Sequence, residues 1–148
     1  MSEMKNKLAE IDAKLNEMNI PHSFIDLKTE EDRNKKLKTL LLRKANGEFI
    51  GVVMPLDKKL DIKKLAERLN MDLTMATADQ ILTLTGIEPG AVCPFDLPSE
   101  VKLLVDDSAF SAKLVSVGSG DISHSLVVEP KVLLKISGAK ISKLPVLR

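Results

Sequence analysis

The chain of 148 residues has no tryptophan, no tyrosine and only four phenylalanines, so its core must be aliphatic. Stacking platforms for unpaired bases need several surface aromatics, and this sequence does not supply them. A single cysteine, Cys93, excludes an intramolecular disulfide and a cysteine-built zinc site. The two histidines, His22 and His124, are too few for the common histidine-rich metal centres. Charge of one sign is also missing: 22 Lys and Arg against 21 Asp and Glu leave +1, without the basic excess of a protein that tracks long duplexes. A short RNA contact remains compatible with that balance. No run approaches the roughly 20 apolar residues of a membrane span. Met1-Ser2-Glu3-Met4-Lys5 leads into a charged amphipathic segment, not the apolar core of a signal peptide. These absences point to a soluble, reduced, cytoplasmic protein.

What is present is an ordinary globular mixture, 44% hydrophobic and 29% charged, at a length suited to one domain over residues 1–148. Leu8, Ile11, Leu15 and Met18 recur at helical spacing and predict a helix over about 4–18, stopped by Asn19-Ile20-Pro21. His22 to Leu27 reads as a short strand. Lys28 to Lys36 is almost wholly charged and reads as a solvated loop or irregular turn. Two β-rich runs, Leu37 to Arg43 and Glu48 to Met54, flank Ala45-Asn46-Gly47, a hairpin turn signal.

Asp61 is placed to cap a helix with the apolar stripe Ile62, Leu65, Ala66 and Leu69; Thr77 is placed to cap a second, from Ala78 to Thr85, ended by Gly86. A brief strand at Leu73 to Ala76 lies between them. Strands at Val101 to Val105, Lys113 to Val117 and Ser125 to Val128 follow, then a helix from Pro130 to Ile136 ended by Gly138, and a last strand near Ile141. Short helices alternating with strands predict an α+β fold with a mixed, mainly antiparallel sheet.

Four stretches could carry chemistry. Gly86-Ile87-Glu88-Pro89-Gly90-Ala91-Val92-Cys93-Pro94-Phe95 combines glycines that allow close backbone approach with prolines that stiffen the turn. It could preorganise amides around a polar ligand, or be a rigid connection; it lacks the Gly-Lys-Ser/Thr ending of a phosphate loop. Lys38 enters an apolar strand in which Lys38, Leu40 and Leu42 share one face and Leu37, Thr39 and Leu41 the other. It could present a fixed cation to a carbonyl, carboxylate or phosphate, or snorkel to water. Gly118-Ser119-Gly120-Asp121-Ile122-Ser123-His124-Ser125 brings serine, histidine and aspartate close in sequence. Proximity does not make a triad, which is defined by roles in space; a flexible turn or a second ligand-lining loop are the other readings. Lys28 to Lys44 is rich in lysine but mixed with Glu30, Glu31 and Asp32, a solvated face or a weak phosphate contact. Cys93 could face a pocket or fill the core.

Together these stretches resemble the YbaK/ProX family of aminoacyl-tRNA deacylases, which includes the editing domain inserted in bacterial prolyl-tRNA synthetases. The resemblance rests on Lys38-Thr39-Leu40, Leu60-Asp61-Ile62-Lys63-Lys64-Leu65-Ala66, Leu84-Thr85 running into the Gly86-to-Phe95 loop, and Val115-Ser116-Val117-Gly118. Their order and spacing, from about Leu37 to Gly138, make the match specific. It implies a barrel-like sheet surrounded by short helices, and a pocket that hydrolyses mischarged tRNA without cofactor or metal. It implies that Lys38 is catalytic, positioning the aminoacyl ester and not acting as a covalent nucleophile. Thr39 and the loop Gly86, Ile87, Glu88, Pro89 and Gly90 would bind substrate, with Gly118, Ser119 and Gly120 as the opposite wall. The implied partners are the tRNA acceptor end and an aminoacyl-tRNA synthetase, not DNA or a membrane. Thr39 after Lys38 is closer to the branch associated with Cys-tRNA hydrolysis than to the alanine-specific branch. Two departures stand out: a shortened, charged 28–36 segment, and Asp96 where the family usually has glycine. A non-catalytic module with the same fold, or a hydrolase of another small acyl ester, are the rival expectations.

Overall fold

The computed structural model describes residues 3–28 and 34–147. Helix α1 (Glu3–Glu17) leads to β1 (Ser23–Asp26), then to the hairpin of β2 (Lys35–Lys44) and β3 (Phe49–Pro55). Helix α2 (Ile62–Leu69), strand β4 (Leu73–Met75) and helix α3 (Ala78–Thr85) follow. Strands β5 (Lys102–Asp106), β6 (Val115–Gly118), β7 (His124–Val128) and β8 (Ala139–Ser142) complete the sheet. The residues predicted to form a helix after Pro130 make a tighter 3-10 helix, Pro130–Lys135.

The sheet runs β1-β7-β6-β2-β3-β5-β8, with β4 on the far end of β2. Pairing is antiparallel except for β2 with β6, β3 with β5 and β5 with β8. The two end strands do not pair with each other, so the barrel-like sheet stays open. The hairpin is its axis. Leu42, Ile50, Val52 and Met54 pack on one face beneath Leu65 of α2; Leu37 and Val53 pack on the other, beneath Ile11 and Leu15 of α1. A third cluster joins Leu41 to Ile81 of α3 and to Val92. Burial on both faces explains why β3 reads Phe-Ile-Gly-Val-Val-Met-Pro with no alternation.

Local chemistry sets the ends. The Asp61 carboxylate accepts the Lys64 N–H at 3.0 Å, and Thr77 and Gln80 form a reciprocal capping box. Gly86 closes α3 at φ +73°, its N–H donating to Leu82 O at 2.8 Å. One expectation is corrected: Lys35 and Lys36 are strand residues, paired with Val115 and Ser116 of β6. Charged composition concealed this, because parallel pairing uses the main-chain N–H and C=O that any residue except proline carries, whatever its side chain. Residues 29–33 of the expected charged loop lie outside the described residues.

Candidate active site

Strand β2 is paired with β3 from Leu37 to Arg43, but its other edge is shared. Strand β6 holds that edge only at Lys35 and Lys36, and β4 only from Leu42 onward. Between them residues 37–41 have no strand partner on that side among the described residues; the Ala76 N–H, at 3.0 Å from Leu41 O, closes the far end. Here the sheet splays into a cleft of about 490 Å³. Its walls are Lys38 and Thr39 on one side and Pro89, Gly90, Gly118 and His124 on the other.

Lys38 lies in the cleft lining, and its Nζ donates to the Lys58 carbonyl at 2.6 Å. An ammonium has three donors, so this bond orients the cation while leaving two for another acceptor. Thr39 is 8% exposed, and its hydroxyl oxygen is buried with no hydrogen-bond partner among the described residues. A buried hydroxyl left unpaired costs about 1–3 kcal/mol. Such a group on a cleft wall is unusual in a folded chain.

The opposite wall is held by backbone. A Cβ on Gly118 would stand 2.0 Å from Val92 O, so only glycine lets β6 pass this close to the 86–95 loop. The Gly120 N–H donates to Ala91 O at 2.8 Å and joins the same two segments. The Ser119 hydroxyl is buried: it accepts the Asp121 N–H at 3.1 Å and lies 2.8 Å from His124 O. Ser119 therefore shapes the turn from inside. Gly86, Ile87, Glu88 and Gly120 line an adjoining depression of about 230 Å³, reaching Lys7 and Leu82, with Ile122 lining both hollows. The loop's N–H groups are partly engaged already, Ile87 to Thr85 Oγ1 at 3.0 Å and Ala91 to Glu88 O at 2.9 Å. Of the loop residues expected at the ligand, Pro89 and Gly90 reach the cleft that holds Lys38.

The Asp-Ser-His cluster does not form a relay. Ser123 Oγ at 3.0 Å and Asp121 Oδ2 at 3.2 Å both meet His124 Nδ1, whereas a triad uses the two ring nitrogens separately. Burial pushes the Asp121 carboxyl up, but the Ser123 N–H and hydroxyl and the His124 charge outweigh it, holding the group below its ordinary value. The result is an imidazole oriented by its Nδ1 on the cleft wall, in the stretch that the sequence offers as a ligand-lining loop without giving His124 a role of its own outside a triad. Its position one turn beyond Gly118 was the available signal.

Cys93 is 0% exposed, and burial pushes its thiol up to about 12, so it fills the core and carries no thiolate at neutral pH. Asp96 stands behind the loop, where Lys7 Nζ at 3.1 Å and Lys14 Nζ at 3.7 Å tie it to α1. Burial lowers the Lys7 ammonium, but Asp96 and then Glu10 outweigh it and raise it overall. Among the described residues no group of three or more potential metal ligands converges, and no helix is long and apolar enough to cross a membrane.

This geometry has close relatives. The chain is 29% identical over 104 residues to the uncharacterised protein YwhH of Bacillus subtilis (strain 168), covering 70% of this chain and 66% of that one. It is 37% identical over 71 residues to a proline–tRNA ligase of Trichlorobacter lovleyi, covering 47% of this chain but only 12% of the ligase. The fold matches the crystal structure of a proposed trans-editing enzyme for prolyl tRNA synthetase (TM-score 0.80, 18% identity, 94% of this chain and 96% of that one). It matches hypothetical protein APE2540 equally well (TM-score 0.80, 24% identity, 90% and 97%). Residues 27–136, most of the sheet and both cleft walls, match the aminoacyl-tRNA editing domain, and the chain belongs to that family.

Proposed function

We propose that this protein is a trans-editing hydrolase that removes a small amino acid of the cysteine or alanine type from mischarged proline tRNA. The observation that carries the reading is the unpaired stretch of β2, whose Lys38 and Thr39 both line one cleft, the first with an ammonium and the second with a buried hydroxyl that has no partner among the described residues, in a member of the editing family. Water adds to the ester carbonyl joining the amino acid to the terminal ribose. The tetrahedral oxyanion develops beside the Lys38 ammonium, where a preorganised charge stabilises the transition state more than the substrate. Collapse breaks the ester bond; the proton lost by water ends on the departing ribose oxygen, giving free amino acid and intact tRNA. Lys38 contacts the reacting carbonyl, Thr39 gains a partner from the bound aminoacyl group, and the Pro89–Gly90 and Gly118 wall limits its size. A second sieve of this kind repairs errors that a synthetase pocket makes among small side chains.

The test is single-turnover deacylation of proline tRNA charged with Ala, Cys or Ser, beside correctly charged Pro-tRNA. Hydrolysis of Ala or Cys ester, with the Pro ester spared, is the expected result. No turnover across the panel overturns the proposal. One observation favours a non-catalytic tRNA- or synthetase-binding module instead: the Lys38 ammonium is already bonded to the Lys58 carbonyl. That reading predicts tRNA binding with no hydrolysis.

A further inference from the structure

The cleft does not end at Lys38. Beside it, with Lys36 and Leu56 lining both hollows, lies a groove of about 670 Å³ between the start of β2, the turn after β3 and the C-terminal residues. Lys35, Lys58 and Lys143 line this groove. Lys7, Lys14, Lys44 and Lys131, outside the groove, form ion pairs. Lys35, Lys58 and Lys143 form none among the described residues.

Their backbones, by contrast, are fixed. The Lys35 N–H bonds Leu114 O at 3.2 Å, and the Lys58 N–H bonds Pro55 O at 3.2 Å. Arg68 donates to the Lys143 carbonyl at 2.5 Å, and the next N–H, of Leu144, bonds Asp106 Oδ1 at 2.9 Å. Three acids, Asp57, Asp106 and Asp107, share the lining with four lysines, and both Asp106 oxygens are turned to Leu144 and Ser108. The wider charge pattern agrees. Residues 34–64 carry nine Lys and Arg against three Asp and Glu, a local +6 in a chain whose total is +1. Anchored backbones with uncommitted ammonium heads suit a polyanion, since lysine binds phosphate as a point charge.

We propose that this groove carries the phosphate backbone of an RNA strand whose 3′ end enters the cleft, with Lys35, Lys58 and Lys143 on successive phosphates. The inference rests on the editing reading for the direction of the strand, but its test does not depend on turnover. Binding of deacylated tRNA is measured against salt concentration for wild type, Lys35→Ala, Lys143→Ala and the double variant, with Lys131→Ala as a lysine outside the groove. Each groove variant should lower the salt slope by about 0.7–0.9, weakening binding without regard to sequence, while Lys131→Ala leaves the slope unchanged. Hydrolysis of an aminoacyl-adenosine, which has no acceptor-strand phosphates, should be equal in wild type and the double variant. Wild type that fails to bind deacylated tRNA, unchanged slopes in the groove variants, or an equal loss in Lys131→Ala would each overturn the groove. Intact binding without hydrolysis of any ester would instead sink the editing reading and leave the groove standing.

Discussion

The two walls of the cleft are built on opposite plans. On the β2 side the polar groups are under-committed: Thr39 has a buried hydroxyl without a partner among the described residues, and Lys38 engages one carbonyl with one of its three donors. On the loop side almost every polar group is accounted for. Ser119, Asp121 and Ser123 satisfy one another within a single turn, and Gly118 and Gly120 fit that turn against the Ala91–Val92 backbone. A wall whose groups are already satisfied can define shape but has little left to offer a ligand. A wall with unsatisfied groups is costly alone and gains when something binds. The proposed function gives chemistry to β2 and geometry to the loop, and substitutions on each side should separate the two roles.

The largest expected effect is Lys38→Ala. Loss of a preorganised charge at a developing oxyanion is worth about 2.7–4 kcal/mol, a 100- to 1000-fold fall in single-turnover deacylation. Thermal unfolding should barely move, because the side chain lies at the rim. Near wild-type turnover would remove Lys38 from the mechanism.

Gly90→Ala probes the other wall without breaking it. The new methyl would meet only the flexible end of Ile122, at 3.3 Å, and no positive φ is involved. A near-native melting temperature with roughly 100-fold slower deacylation is expected, since a shift of about 1 Å at the reacting group can cost that much. Unchanged deacylation would detach this loop from the site.

Gly118→Ala should do the reverse and act through stability. Its methyl would stand 2.0 Å from a backbone oxygen, which cannot turn aside as a side chain can. Overpacking of this kind costs about 1–3 kcal/mol or more, read as a lower midpoint in urea. A variant as stable as wild type would show that the two segments separate easily.

Thr39→Val sharpens the contrast from the β2 side. Replacing the unpaired hydroxyl with a methyl of similar size should raise the stability of the free protein by about 1 kcal/mol while raising KM. Lower stability would mean that the hydroxyl has a partner in solution. The smallest effect on activity is expected at Cys93→Ser. Turnover per folded molecule should be retained, although placing a hydroxyl in a fully buried site should cost about 1–3 kcal/mol. With its thiol raised to about 12, Cys93 should react with an alkylating agent only when the chain unfolds. Loss of turnover in a well-folded variant would point to a covalent mechanism.

Much of this molecule was legible without coordinates. The hairpin turn, the Asp61 and Thr77 caps, the Gly86 terminator and the alternation of Lys38 with Thr39 are local, because capping, turn conformation and strand periodicity depend on residues within a few positions of one another. The family, too, could be recognised from four short motifs in order. What the sequence could not reveal depends on contacts between distant segments. That Lys35 and Lys36 extend a strand depends on β6, some eighty residues away. The Lys58 carbonyl becomes the partner of Lys38 only because the turn after β3 folds back over β2. The division of the predicted loop between two hollows follows from the close passage of Gly118 over Val92. Local preferences choose the elements; which edge of β2 stays unpaired, and hence where a cleft can exist, is decided by how many strands can reach it once the three apolar clusters are packed.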